Sequence, residues 1–402
     1  VRDEPAVTPV ERAHPGDVLR PASARLVGVD AARGVALLGM VAVHVLPGRD
    51  TDGSESVAYL VASGRSAALF AVLAGVGLAL AYRRPRGPDR LRASAAITVR
   101  AVLLGLVGLA LGGLDSGVAV ILVYYAALFL LALPWLGAGP RTLLASAAVI
   151  AFVVPVGSFA LRPGLADPTL ANPAFDDLAD PGRLVVELVL TGYYPALAWT
   201  AYLLVGLAVG RLALQKPRTA MTIAGAGAAL AGSAAVVSAL LLGPLGGYER
   251  LAEVGSPPPG TTIEQAVSQS RFGNVPTDSP WWLATDAPHS TTPLDLYATA
   301  GTALLVLGVA LLVASRAPVV LTPLTAAGSM PLTLYSVHVL LLGTTDAGDP
   351  TRFYLLQVLA ALIGAVLWRR YVGRGPLEAA LGAAVRPLRR VTDGAETHSI
   401  RR

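Results

Sequence analysis

The sequence predicts an all-α fold: a polytopic membrane bundle of about ten transmembrane helices with both termini cytoplasmic. Three observations predict it. Hydrophobic residues make up 54% of the 402 residues and charged residues only 14%, whereas a soluble domain carries roughly 25% charged residues. The mean hydropathy is +0.61. Apolar stretches long enough to span, about 17–25 residues each, alternate with loops that are basic on one side and acidic or neutral on the other.

The first stretch, 26–46, is LVGVDAARGVALLGMVAVHVL, and the second, 57–82, contains SGRSAALFAVLAG. The basic loop RRPRGPDRLR leads into 94–113, and LDSG separates that from 117–136. A turn with Arg141 precedes 142–161, and the acidic segment 162–183 precedes 184–212. Within 184–212 the run TGYYPALAW holds a Pro that should kink the helix and free a backbone carbonyl. QKPR introduces 220–243, the long stretch 244–293 introduces 294–314, and Arg316 precedes 319–342. The last span, 352–371, ends in WRRYVGRG. By the positive-inside rule the Arg-rich loops face the cytoplasm and the alternation never breaks. Residues 1–25 are polar and lack an apolar signal core, so the first span is expected to act as the insertion signal. The organisation expected is a polar tail 1–25, a bundle 26–375 and an amphipathic cytoplasmic tail 376–402, whose PLEAALGAAV and RPLRR should lie on the inner membrane surface. Small-residue runs GLAVG (206–210) and GAGAALAG (225–232) should form helix contacts. Trp281 and Trp282 should mark the membrane interface.

Cysteine is absent, which excludes disulfides, thiolate metal sites and a cysteine nucleophile. Lys216 is the sole Lys among 31 basic residues, a bias that suggests a GC-rich bacterial genome and hence a bacterial plasma membrane. The net charge of +5 reflects loops that orient helices and does not point to nucleic acid.

Polar side chains inside apolar spans are costly and mark function when they have partners. Asp30 and Arg33 are i,i+3 neighbours, and eleven residues at about 100° each return His44 to within roughly 20° of Arg33. One stripe of the first span therefore carries all three. Arg65 lies two turns below the outer surface and Arg100 nearer the inner side. His289, in APHSTTPLDL, sits at the outer mouth of the eighth span. His338, in GSMPLTLYSVHVLLLG, lies near the outer end of the ninth with Tyr335 three residues before it. Tyr193 belongs to the Pro-kinked run. Three outer histidines lack any close ligand spacing, so no metal site is expected.

RLVGVDAARGVALLGMVAVHVLP (25–47), SGRSAALFAVLAGVGLAL (63–80), TGYYPALAWTAYLLVGLAVGR (191–211) and GSMPLTLYSVHVL (328–340) together resemble the bacterial members of the heparan-α-glucosaminide N-acetyltransferase-like membrane family. Arg33-x10-His44 also resembles the Arg-x10-His pattern of acyltransferase family 3 enzymes. There the His is essential, and the acyl group passes from cytoplasmic acyl-CoA to an extracytoplasmic sugar. The lysosomal enzyme has Asn at the His44 position and takes its His from the following loop; here that loop, PGRDTDGSES, has none.

The resemblance implies a membrane acyltransferase with acyl-CoA, most simply acetyl-CoA, as donor and an extracytoplasmic carbohydrate or glycolipid as acceptor. His44 is the expected general base, with Arg33 and Asp30 completing the catalytic set. Arg65, Arg100, His289, His338, Tyr335 and Tyr193 are the expected binding residues. The partners expected are the lipid bilayer, acyl-CoA, the acceptor and a second copy of the chain. A transporter or flippase using the charged stripe as its path is the alternative, although no internal repeat of the kind common in transporters is evident.

Overall fold

The structure, a computed structural model, describes residues 26–399 except 83, 256–259 and 346–347. The polar segment 1–25 and most of the SPPPG turn thus lie outside the described residues. What is described is helical: α1 (Val27–Val45), α2 (Val57–Ala62), α3 (Arg65–Ala81), α4 (Gly87–Gly112), α5 (Leu122–Leu131), α6 (Pro140–Leu161), α7 (Pro181–Val186), α8 (Ala196–Val209), α9 (Pro217–Leu242), α10 (Gly247–Val254), α11 (Ile263–Ser268), α12 (Pro293–Arg316), α13 (Thr322–Gly328), α14 (Pro331–Thr344), α15 (Pro350–Tyr371) and α16 (Pro376–Ser399). Proline at the first turn recurs in α4, α6, α7, α9 and α12–α16, where its missing N–H costs nothing and its fixed φ starts the helix.

Among the described residues seven helical stretches are long and apolar enough to cross a membrane, and counting each of two bent pairs as one span brings the number up to nine. The bends have sequence causes. The first pair turns by 53°, where a π-helical turn, Glu187–Thr191, gives way at Gly192–Pro195 before α8, as the Pro in TGYYPALAW predicts. The second turns by 60° between α13 and α14, just ahead of Pro331. The second expected span is broken as well: Gly64 adopts φ +68 between α2 and α3, a left-handed conformation that glycine enters without penalty.

The expected span 117–136 departs most. Its helix, α5, has 10 residues, about 15 Å at 1.5 Å per residue, half of a hydrocarbon core of roughly 30 Å. Ahead of it the backbone is held out of helix by Asn172, whose Oδ1 accepts from Val120 N and whose Nδ2 donates to Val118 O. After it, Pro134 turns the chain into a 3-10 segment. The segment still links the two ends of the bundle. Asn172 belongs to the acidic loop, whereas the Pro134 and Leu136 carbonyls accept from Arg90 and Arg211 at the basic end.

Close helix contacts use glycine where a Cβ would collide. A Cβ on Gly206 would lie 1.8 Å from Val72 O, and one on Gly75 would lie 2.1 Å from Leu203 O, so α3 and α8 touch backbone to backbone. On Gly328 it would lie 1.7 Å from Asp30 O and on Gly34 2.3 Å from Leu324 O, which presses α13 onto α1. Of GAGAALAG only Gly227 serves this way, against α12; Gly225 and Gly232 meet nothing within 4 Å.

Two expectations for the loops change. Trp282 is buried in a small second core with Leu242, Leu251, Val267 and Val275. Its Nε1 donates to Asp278 and Arg271 stacks over its ring at 4.6 Å, so it packs the long connection together from inside. The apolar part of α16 packs on α4 and α14, burying Leu381 and Val385, because Glu378 is drawn to the start of α14. Its carboxylate accepts from Leu332 N, Thr333 N and Thr333 Oγ1. These are donors that the first turn of a helix otherwise leaves unmatched.

Overpacking a filled interface costs about 1–3 kcal/mol or more. Gly206→Leu should therefore lower the thermal midpoint of the detergent-solubilised protein and broaden its size-exclusion peak. Gly232→Leu, facing open space, should leave both unchanged.

Candidate active site

The first-span stripe is assembled as its spacing predicts, and its upper end meets a partner from the C-terminal half. Arg33 Nη1 donates to Asp30 Oδ1 at 2.8 Å, with Asp30 buried and Arg33 one-quarter exposed. A Cβ on Gly77 would lie 3.0 Å from Arg33 Nη2, so α3 makes room for the guanidinium by lacking a side chain there. At the other end of α1, His44 Nδ1 lies 3.0 Å from His338 Nε2. The rings are stacked, with 5.3 Å between centroids and 8° between planes. His338 is buried, and its Nδ1 lies 2.7 Å from Gln357 Oε1.

This chain has a direction. An amide oxygen only accepts, so with Gln357 Oε1 facing the ring His338 carries its proton on Nδ1. Its Nε2 is then an acceptor, and His44 must donate from Nδ1. With the amide in that orientation, His44 Nε2, which has no hydrogen-bond partner among the described residues, keeps its lone pair, as a general base needs.

Below the histidines runs a cavity of about 430 Å³, within the range of small-molecule sites, roughly 300–1,000 Å³. Arg33, Arg100, Arg374 and Tyr82 line one end; Met40, Tyr125, Ile121 and Tyr335 line the deeper part. Tyr335 Oη accepts from Ile121 N, and Arg100 packs over the Phe129 ring at 6.0 Å. The cavity stops at Met40 and Tyr335, one helical turn short of His44 and His338. Its wall includes Glu378, Leu381 and Val385 of α16, so the tail helix closes the basic end.

The other expected binding residues stand elsewhere. Arg65 begins α3 at the Gly64 break, half-buried, and lines neither this cavity nor the smaller one beside His338. Tyr193 Oη donates to Leu170 O in the acidic loop. His289 does not join the histidine pair. Its Nε2 accepts from Gly64 N at 3.2 Å, and its ring is stacked against Trp199 and Phe272 and edge-on to Tyr194. It latches the long connection onto the α2–α3 break. Among the described residues no group of His, Asp or Glu converges as a metal site.

Two contributors were not singled out from the sequence. Gln357 sits alone in FYLLQVLAALIG, and a lone amide in an apolar span is a signal of the same kind as a lone charge. Arg374 lies in WRRYVGRG, where the charge pattern reads as topology and hides its place in the cavity wall.

The family model for heparan-alpha-glucosaminide N-acetyltransferase, catalytic, matches residues 25–240, more than half of the chain. The chain belongs to this family. Membership marks it as a multi-pass membrane protein of the acyltransferase class. The matched region holds Asp30, Arg33, His44 and Arg100, while His338, Gln357 and Arg374 come from beyond it. No individual curated protein matches the chain.

His289 lies in a connection between spans, where burial pushes its imidazole down to about 4 from an ordinary 6.5. The unfolded chain then takes up this proton before the folded one. The stability it contributes is complete above 6.5 and lost as pH falls from 6.5 through 4. His289→Asn, which tolerates the positive φ of 57 but is too short to keep the bond from Gly64 N, should lower the thermal midpoint at neutral pH and flatten its fall across that window.

Proposed function

We propose that this protein transfers an acyl group, acetyl in the simplest case, from acyl-CoA to a hydroxyl or amine acceptor at the opposite membrane face, with His44 as general base. The observation that carries the reading is the Gln357–His338–His44 chain, which leaves His44 Nε2 bare at the end of a stripe whose other end borders an arginine-lined cavity. Arginine suits the phosphates of CoA through its planar fork of donors. Arg100 and Arg374 are the proposed phosphate ligands, and Arg33, fixed by Asp30, borders the path of the pantetheine arm.

In the chemical step the acceptor oxygen or nitrogen gives its proton to His44 Nε2 and attacks the thioester carbonyl carbon. The C–S bond breaks, the acyl group stays on the acceptor, and the proton leaves with the CoA sulfur. Positive charge arising on His44 is shared with His338 through their hydrogen bond. In this reading the chain crosses a bacterial plasma membrane ten times, the non-helical flanks of α5 included, with both termini and the basic loops in the cytoplasm. The acceptor is a cell-envelope carbohydrate or glycolipid.

General-base catalysis contributes about 10²–10⁴-fold. His44→Ala should lower acetyl transfer by that factor while acetyl-CoA binding, followed by calorimetry, stays unchanged; wild-type turnover would refute the assignment. Solute movement into liposomes without CoA release would instead identify a transporter.

A charge-assisted hydrogen bond contributes about 1.5–3 kcal/mol. Arg374→Leu should therefore weaken acetyl-CoA binding by roughly 10–100-fold. Among the described residues Arg374 forms no ion pair, whereas Arg33 is paired with Asp30, so Arg374 is the cleaner variant.

A further inference from the structure

A second cavity, of about 350 Å³, lies between α1, α14 and α15. Leu37, Val41, Val337, Leu341, Leu356 and Ala361 line it, and His338 and Gln357 close its inner end. Among the described residues no charged side chain borders it. It opens along α15, a 22-residue apolar helix of which Ala365 alone is buried, so its mouth is continuous with the surface that faces the bilayer.

The two cavities approach each other at the histidines without joining: His338 closes the apolar one, and the arginine-lined one ends a helical turn below, at Met40 and Tyr335. At about 100° per residue, and with Arg33 as zero, Met40 lies near 340° on α1 and faces the arginine-lined cavity. Leu37 and Val41 lie near 40° and 80° and face the apolar one. His44, near 20°, stands on the boundary. On α14, Tyr335 faces the first cavity and Leu341 the second, and His338 lies about 60° from each. Gln357 adds a chemical requirement, because its Nε2 is buried without a hydrogen-bond partner among the described residues. It presents a donor where the apolar lining ends.

We propose that this cleft holds the hydrocarbon chain of a membrane amphiphile, the acyl acceptor, whose hydroxyl or amine is presented to His44 while Gln357 Nε2 donates to an oxygen of its headgroup. The inference rests on the acyl-transfer reading and narrows its acceptor from any extracytoplasmic carbohydrate to a molecule that arrives laterally from the bilayer. An apolar lining selects a chain, an unmatched amide donor selects an oxygen beside it, and the absence of cations excludes the CoA head. The arginines that suit that head line the other cavity.

The test uses the full chain in nanodiscs of phosphatidylethanolamine and phosphatidylglycerol. A dodecyl glucoside carrying a diazirine on its chain is photolysed and its adducts are mapped by mass spectrometry. Adducts should concentrate in 334–341 and 353–361. Ala361→Trp, which fills the cleft, and Leu356→Trp, at its mouth, should each reduce them at least five-fold and leave adducts on α9 unchanged. With labelled acetyl-CoA and total membrane lipid extract, label should enter the organic-soluble fraction and fall at least ten-fold in both variants. Adducts spread evenly over the lipid-facing helices and indifferent to both variants would overturn the proposal. So would label found only in water-soluble product, or displacement of the probe by dodecanoyl-CoA and not by added lipid, which would make the cleft a donor-chain site. Failure of acyl transfer itself reads differently: no acetyl-CoA binding and no label in any fraction, with the photolabelling still reporting on the cleft.

Discussion

Two imidazoles and an amide from three separate helices, hydrogen-bonded in series inside an apolar bundle, set the terms for everything around them. A chain of this kind tolerates little error, since N···N and N···O distances of 3.0 and 2.7 Å fix the relative height of α1, α14 and α15. The register is set by backbone contact below it. Gly328 and Gly34 let α13 touch α1 without a side chain between them, and the bend at Pro331 then aims α14 so that His338 arrives beside His44. Side chains any larger at those glycines would separate the rings, and unmatched imidazole nitrogens in a low-dielectric interior are expensive. Packing and chemistry are therefore one constraint.

The same geometry separates two environments. On one side of the α1–α14 seam an arginine-lined cavity suits a polyanion; on the other a cleft with no charged side chain among its described lining residues suits hydrocarbon. The histidine pair stands between them, His338 at the inner end of the apolar cleft and both rings one helical turn beyond the end of the arginine-lined cavity, so in the proposed reaction donor and acceptor approach the base from different directions. Glu378 contributes at a distance. By satisfying the first N–H groups of α14 it docks the tail helix against the basic cavity, which makes residues beyond the last span part of the site.

How much of this was legible in the sequence depends on the range of the interaction. The Asp30–Arg33 pair and the alignment of His44 with them follow from helical spacing alone, and both hold. The kink in TGYYPALAW follows from proline. The approach of His338 to His44, 294 residues apart, does not follow from any local pattern; topology put both near one face, but only the packing of α13 on α1 brings the rings together. The same topology argument placed His289 there too, yet its ring is claimed by Gly64 N and an aromatic pocket. The segment 117–136 misleads because hydropathy cannot see Asn172, a residue from another loop, holding Val118 and Val120 out of helix. Gln357 is visible as a lone amide in an apolar span, but a neutral side chain costs far less to bury than a charge and so marks its helix more weakly.

The central claim is that Gln357, through His338, leaves Nε2 of His44 bare. The five histidines of the chain make it directly measurable by ¹⁵N magnetic resonance of histidine-labelled protein, with His44→Asn and His338→Asn used for assignment. The account predicts both His338 and His44 in the Nδ1–H form at neutral pH, a scalar coupling between His44 Nδ1 and His338 Nε2, and loss of that coupling in Gln357→Leu. Finding His44 in the Nε2–H form, or a pair whose tautomers are indifferent to Gln357, would contradict it.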